Sequence, residues 1–204
     1  MRIIYYFGDF AMNKLVIFFP GAGYGMDCPF LYYTDFLYET LGFERLKLNY
    51  QHIIMNKTIP LDKRLVQLRT YIDSQLEPVN LNDYNEIVFV AKSIGCIEAG
   101  LVAEKYIVPA LANSAFKFQK IFLTPVPEAL SFCDPKCHVI IGTNDKAYSL
   151  FEPHCNTNNI PLLTVNGGDH SLEIVGKPLE SIDALKNIVK HLSCDIFPHE
   201  AQDS

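Results

Sequence analysis

The chain has 204 residues, of which 49% are hydrophobic and 20% are charged, and its formal net charge is −6. This composition is typical of a folded protein with one hydrophobic core, so we expect a single domain over 1–204 with a polar, frayed tail from about residue 198. The mild negative charge and the scattered lysines and arginines argue against a nucleic-acid partner.

The apolar runs of the sequence bear on the compartment of the protein. The first apolar run stops at Gly8 and Asp9, before it has the length of a signal-peptide core, and no run reaches the ~20 residues of a membrane span. We therefore expect a cytoplasmic protein without a membrane partner.

The six cysteines have no repeating spacing, and Cys133 and Cys137 lack a second ligand pair, so free thiols are expected, with no metal and no cofactor.

Short apolar runs alternate with amphipathic segments along the chain. The runs predict about seven strands, at 2–7, 15–19, 43–48, 86–91, 120–124, 137–142 and 161–165. The amphipathic segments predict helices at 30–41, 61–76, 94–106, 148–155 and 178–192. This alternation favours the α/β class, with a mostly parallel twisted sheet covered by helices on both faces.

The connection between the first two predicted strands is too short for a crossover helix. We therefore expect 2–7 and 15–19 to pair antiparallel, as an N-terminal hairpin at the start of the sheet. In sheets of this class, ligands bind at the carboxyl ends of the strands. Residues that directly follow a strand are accordingly the candidates for function.

Ser93 follows the strand at 86–91, at a point where a helical pattern begins without an intervening loop. Ala91 and Gly95 lie two residues away on either side. Small side chains are needed at both places in a nucleophile elbow, because the backbone reverses tightly around the serine. A serine at this position is also an ordinary helix N-cap, so the spacing alone does not establish a nucleophile.

An acid and a histidine follow the last two predicted strands. Asp145 comes after 137–142, and His170 comes after 161–165. Taken singly, Asp145 has an ordinary interpretation as a helix cap and His170 as a loop residue, but both share a sheet edge with Ser93. A serine hydroxyl needs an imidazole to accept its proton, and the imidazole needs a carboxylate on its other nitrogen. The three residues predict a catalytic triad.

A glycine-rich loop follows the strand at 15–19. It contains Gly21, Gly23 and Gly25. Such a loop can turn backbone N–H groups toward a bound oxygen, and we predict an oxyanion hole formed by the N–H groups of Ala22 and Ile94. The glycines do not have the spacing of a dinucleotide fingerprint, and no Walker lysine follows them, which argues against nucleotide binding.

Three segments resemble loops of the α/β-hydrolase superfamily, in its compact branch without a cap domain. They are Pro20-Gly21-Ala22-Gly23, Ala91-Lys92-Ser93-Ile94-Gly95 and Gly167-Gly168-Asp169-His170. The resemblance extends from about residue 14 to residue 192 and implies the α/β-hydrolase fold. It also implies that the three segments are the oxyanion loop, the nucleophile elbow and the histidine loop, with Asp145 as the acid. Pro20 and Ala91 depart from the histidine and glycine that are frequent there in relatives.

The resemblance also bears on the substrate pocket. Only twelve residues separate Thr124 from Cys137, where relatives that bind long acyl chains insert a lid, so we expect an open pocket for a small-molecule acyl substrate. Its predicted walls include Tyr24, Met26, His52, Pro125 and Val126.

These residues predict a serine hydrolase that cleaves an ester or thioester. Two alternatives remain open on the same fold: a non-catalytic protein that binds a ligand or a protein partner, and a peptidase or acyltransferase that uses the same triad. The complete set of triad residues and a glycine-rich loop favours the hydrolase, because a binding module requires none of them. The sequence does not determine the oligomeric state.

Overall fold

A computed structural model describes residues 13–109 and 117–193. Its strands are β1 (Lys14–Phe19), β2 (Glu44–Lys47), β3 (Glu86–Lys92), β4 (Lys117–Leu123), β5 (Cys137–Gly142) and β6 (Leu162–Val165). They form one parallel sheet in the order β2-β1-β3-β4-β5-β6. The predicted α/β class and the mostly parallel sheet are confirmed, and each of the six strands overlaps a predicted one.

The helices are α1 (Pro29–Thr40), α2 (Gln51–Ile54), α3 (Leu61–Leu76), α4 (Gly95–Val102), α5 (Tyr148–Asn158) and α6 (Pro178–His191). The helix predicted over 94–106 is α4 continued by a π-helical turn, Ala103–Ile107. The short α2 and a 3₁₀ helix at Pro127–Phe132 have no counterpart in the prediction. In the two ranges that the structure describes, no helix is both long enough and apolar enough to cross a bilayer.

Helices cover both faces of the sheet. Val16 and Phe18 of β1 share one apolar cluster with α1 and α6. Leu15 and Ile17 of the same strand share the opposite cluster with α3, α4 and α5. Successive side chains of a strand point to opposite faces, so a strand that is covered on both sides is apolar at every position. This is why β1 and β3 contain continuous hydrophobic runs, from Leu15 to Phe19 and from Ile87 to Ala91.

The predicted N-terminal hairpin needs a correction. Residues 2–7 lie outside the described residues, as does the tail from about 198. β1 pairs parallel with β2 from Leu15 to Phe18 and parallel with β3 from Lys14 to Phe19. Both edges of β1 are therefore occupied, and no antiparallel partner can hydrogen-bond to it. A short connection excludes a crossover helix, but it does not require the two segments that it joins to be neighbours.

The strand order creates a crevice at the carboxyl ends of β1 and β3. The connection from β1 to β2 runs through α1 on one face of the sheet, and β2 pairs with one edge of β1. The connection from β2 to β3 runs through α3 on the opposite face, and β3 pairs with the other edge of β1. Connections that diverge from two neighbouring strands leave an opening between their loops, which is where ligands bind in open α/β sheets. The glycine-rich loop after β1 and the turn after β3 flank this opening.

Gly95 allows α4 to begin in direct contact with β1. A Cβ atom at this position would lie 2.2 Å from the carbonyl oxygen of Phe19 and 2.8 Å from that of Pro20. We expect Gly95→Ala to lower the free energy of unfolding by about 3 kcal/mol, because backbone atoms cannot rotate away from the new methyl group. Urea-induced unfolding measures the loss.

Gly23→Ala is the matched control for this prediction, because a Cβ atom at Gly23 would meet nothing within 4 Å. Its free energy of unfolding should change by less than about 0.5 kcal/mol. Equal losses in the two variants would contradict the close approach of α4 to β1.

Candidate active site

Ser93 lies in the sharp turn between β3 and α4. Its φ angle is 57°, in the left-handed region that residues other than glycine rarely adopt. The N–H of Ser93 donates to the carbonyl oxygen of Leu123 at 3.0 Å, which ties the turn to the end of β4. Strained backbone of this kind costs about 1–3 kcal/mol and persists where the surrounding structure requires it. The tight turn explains why the flanking residues Ala91 and Gly95 are small.

A continuous hydrogen-bonded chain connects the serine, the histidine and the acid. The Oγ atom of Ser93 lies 2.9 Å from Nε2 of His170. The Nδ1 atom of the same ring lies 2.7 Å from Oδ2 of Asp145. The three residues come from the ends of β3, β5 and β6, and the structure brings them together at one edge of the sheet as predicted from their order in the sequence.

The acid and the base have different environments. Asp145 is buried, and its second oxygen, Oδ1, accepts the N–H of Ala147 at 2.9 Å, so both carboxylate oxygens have a fixed partner. The side chain of His170 is 50% exposed. A rigid carboxylate therefore orients an imidazole that solvent and small molecules can reach. Asp145 forms the turn that precedes α5, whereas the N-cap residue of this helix is Ala147 and not Asp145.

Asp169, next to the histidine, does not compete for the role of the acid. Its Oδ1 atom accepts the N–H groups of Ser171 at 2.8 Å and Glu173 at 3.1 Å. These bonds close the turn of the histidine loop. The carboxylate thus stabilises the loop backbone, in line with its interpretation as a turn residue.

The glycine-rich loop after β1 is held by residues that follow β2. The hydroxyl of Tyr50 donates to the carbonyl oxygen of Pro20 at 2.7 Å, and Nε2 of Gln51 donates to that of Gly21 at 3.0 Å. The segment 50–59, which contains both residues, was expected to help line the pocket, and the sequence gives no signal that Tyr50 and Gln51 hold this loop. Within the described ranges, the N–H groups of Ala22 and Ile94 donate no hydrogen bond to the protein.

Pro125 and Val126 border the triad as predicted. They line a cleft of about 610 Å³ together with Asn144, Lys146 and His170. The apolar side of this cleft comes from the segment after β4, and its polar side comes from the turns after β5 and β6. The cleft adjoins the acid and the imidazole, and Ser93 and the glycine-rich loop lie outside its lining.

Three predicted pocket residues occupy other places and are not part of the lining of this cleft. The hydroxyl of Tyr24 accepts the N–H of Phe30 at 3.1 Å. Met26 packs against the apolar cluster on the side of α1. His52 lies on α2, and its ring meets that of Tyr71 edge-on with 5.2 Å between the centroids. Ser93 also lies outside the lining of this cleft, so the assignment of these three residues to the substrate pocket stays a prediction.

Lys92, which immediately precedes the serine, is a buried residue that the sequence analysis did not assign. Its side chain is 1% exposed, and its Nζ atom donates to the carbonyl oxygen of His170 at 2.5 Å and to Oγ1 of Thr124. The ring of Tyr24 lies 4.9 Å from this Nζ atom. Burial lowers the pKa of Lys92 to about 8. The available signal was a lysine at the end of an otherwise apolar strand.

The cysteines show no pairing where the structure describes them. Cys28, Cys96, Cys133, Cys137 and Cys155 are free thiols. Among the described residues, no group of three or more His, Cys, Asp or Glu side chains is arranged to hold a metal ion.

Comparison with known proteins reveals similarity of structure but not of sequence. No family model matches the chain, and no curated protein matches it. A protein of unknown function from Agrobacterium tumefaciens, described as a candidate alpha/beta hydrolase, has 18% identity and a TM-score of 0.57, and the match covers 91% of this chain and 86% of that one.

Two further solved structures are similar to a comparable degree. Est1E from Butyrivibrio proteoclasticus has 14% identity and a TM-score of 0.55, with 89% of each chain covered. Dienelactone hydrolase from Anabaena variabilis has 15% identity and a TM-score of 0.55, with 89% of this chain and 86% of that chain covered. Identities this low establish a shared architecture and leave the reaction open. The chain has the α/β-hydrolase fold.

Proposed function

We propose that this chain is a serine hydrolase that cleaves a small carboxylic ester or thioester through an acyl-enzyme intermediate. The hydrogen-bonded chain from Ser93 through His170 to the buried Asp145 carries the proposal. An imidazole placed between a hydroxyl and a carboxylate is the arrangement that activates a serine as a nucleophile. A fold shared with a dienelactone hydrolase and with Est1E, which has also been solved with ferulic acid bound, supports a hydrolytic role.

The proposed reaction has two halves. In the first, Oγ of Ser93 attacks the carbonyl carbon of the substrate while Nε2 of His170 takes the hydroxyl proton, and this proton then goes to the departing alcohol or thiol. In the second, His170 takes a proton from water, the resulting hydroxide attacks the acyl-serine, and the proton returns to Ser93 as the carboxylic acid leaves. Asp145 stabilises the imidazolium that forms in each half.

The N–H groups of Ala22 and Ile94 are the proposed oxyanion hole. Both lack a protein acceptor within the described ranges and are free to donate to the oxygen of a tetrahedral intermediate. Ile94 directly precedes α4, whose N-terminus adds a partial positive charge. Tyr50 and Gln51 hold the carbonyl oxygens of the glycine-rich loop, which keeps that backbone in place before substrate arrives.

Covalent labelling by a fluorophosphonate tests this proposal. The probe reacts with serines that an adjacent base activates, so we expect one equivalent of label on the peptide that contains Ser93, as determined by mass spectrometry. A panel of esters, thioesters and amides then ranks the leaving groups. A folded wild-type protein that takes up no label and hydrolyses none of the panel would overturn the proposed function, and would favour a binding protein of the same fold.

Short acyl chains are the expected substrates, because nothing in the described structure closes over the cleft. The segment between β4 and β5 turns back onto the body of the protein, where Phe132 packs on Gly100 of α4. Each methylene adds about 0.8 kcal/mol of binding only where the protein covers it. Among p-nitrophenyl esters, kcat/KM should therefore be higher from acetate to butyrate than for decanoate. A steady rise with chain length would contradict an open cleft.

A further inference from the structure

The ammonium of Lys92 is buried without a carboxylate partner. Val88 and Val90 lie on the same face of β3 and belong to the apolar cluster under α1 and α6. The side chain of Lys92 is 1% exposed, and no carboxylate of the described residues lies within ion-pair distance of it. Burying an unpaired charge is unfavourable, so a contribution to stability does not account for a lysine at this position.

The ammonium does have specific acceptors. It donates to the main-chain oxygen of His170 at 2.5 Å and to the hydroxyl of Thr124. Thr124 itself donates to the same oxygen of His170 at 2.9 Å and has a φ angle of 42°, which is rare for a β-branched residue. The ends of β3 and β4 thus converge on one carbonyl group of the histidine loop.

Lys92 and Ser93 are neighbours in the chain, so His170 is attached to the elbow at two points. Its ring contacts Oγ of Ser93, and its main-chain oxygen contacts Nζ of Lys92. Two attachments on consecutive residues fix both the position of the backbone and the direction of the ring. The main-chain oxygen of His170 already accepts a hydrogen bond from the hydroxyl of Thr124. The ammonium of Lys92 is therefore not needed to satisfy this oxygen, and its bond instead adds rigidity to the histidine loop.

We propose that Lys92 is a positioning residue, which holds the histidine loop against the nucleophile elbow so that the imidazole stays within hydrogen-bond reach of Ser93. This inference rests on the proposed function of the triad. Lys92 is 1% exposed and its ammonium donates to the main-chain oxygen of His170, so it acts through the base and not through contact with substrate.

Lys92→Met tests the role, because methionine fills the same space without the charge. We expect kcat to fall by about 10- to 100-fold, since small displacements of a catalytic group cost this much, and KM to stay within about threefold. The melting temperature at pH 7 should equal or exceed that of the wild type, because the variant no longer buries an unpaired charge. A residue needed only for folding would instead lower the melting temperature.

Lys120→Met is the matched control. Lys120 on β4 is also buried and also donates to a main-chain oxygen, that of Phe132, but it pairs with Asp134 and has no contact with the triad. Removing it leaves Asp134 without its ion-pair partner, although Oδ1 of Asp134 still accepts the N–H of Lys136. We expect this variant to have a lower melting temperature and an unchanged kcat per folded molecule.

The pH dependence provides a second measurement that does not depend on the fold of a variant. Charged or titratable groups near Lys92 are Tyr24, Cys28, Cys96, Asp145, Asp169 and the His170 ring. Burial raises the pKa of Tyr24 and of Cys96, so both stay protonated while Lys92, with a pKa of about 8, loses its proton. Loss of the charge weakens the bond to His170, and wild-type kcat should decline above about pH 8.

This alkaline decline should be absent in Lys92→Met and present in Cys28→Ser, in which serine replaces the nearby thiol at the N-cap of α1. The proposal is overturned if Lys92→Met retains the kcat of the wild type, or if its kcat falls only in proportion to its folded fraction. It is also overturned if the wild type shows no alkaline decline, or if the decline persists in Lys92→Met. Wild-type protein that neither takes up the fluorophosphonate nor hydrolyses esters would overturn the proposed function instead, before any variant is compared.

Discussion

Ser93→Ala is expected to lower kcat/KM for ester hydrolysis by about 10⁴-fold or more, with no loss of the fold. In the proposed mechanism the variant removes the atom that forms the acyl bond, and His170 has no hydroxyl to deprotonate. The left-handed backbone at this turn is unchanged, because alanine and serine each carry a Cβ atom, and the melting temperature should stay close to that of the wild type. Steady-state kinetics and thermal unfolding on the same preparation measure both quantities.

Ser74→Ala is the control for loss of a hydroxyl. Ser74 lies on α3, and its hydroxyl donates to the carbonyl oxygen of Tyr71. Its kcat/KM should stay within about twofold of the wild type. Ser93→Ala with activity close to that of this control would remove Ser93 from the mechanism.

Asp145→Asn is expected to lower kcat by about 10³- to 10⁴-fold although it preserves the shape of the side chain. The N–H of Ala147 donates to Oδ1 of Asp145, and this bond would select the oxygen of the introduced amide for the same place. The amide nitrogen would then face Nδ1 of His170, which would have to accept a hydrogen bond. The ring proton would move to Nε2, and Nε2 could no longer accept the proton of Ser93.

Asp169→Asn separates this tautomer effect from a general loss of negative charge near the histidine. An asparagine oxygen can still accept the N–H groups of Ser171 and Glu173, so the loop should persist and kcat should fall by less than about tenfold. If instead Asp145→Asn were nearly silent and Asp169→Asn were inactive, the acid of the triad would be Asp169.

The elements of the sheet could be predicted because both of its faces are buried. The core of β3 is apolar at every position from Ile87 to Ala91, and helices such as α3 have one apolar stripe, so each periodicity indicates its own structure. The neighbours of β1 in the sheet could not be predicted in the same way. The edges of β1 are occupied by β2 and β3, which lie far from β1 in the sequence.

The meeting of Ser93, Asp145 and His170 could be predicted because each of them follows a strand, and parallel strands end at the same edge of the sheet. The network around Lys92 could not. Its main partner is a main-chain oxygen of His170, 78 residues away in the sequence. A main-chain oxygen is present at every residue, so the sequence contains no signal for this contact.

The sequence by itself therefore determined the fold class, the edge of the sheet that holds the site, and the order of Ser93, Asp145 and His170 along it. These features follow from local periodicity and from the rule that parallel strands point the same way. Only the tertiary structure decided the neighbours of β1, the contact of His52 with Tyr71, and the bond from Lys92 to the histidine loop. Such contacts depend on the packing of distant segments, which local sequence patterns do not encode.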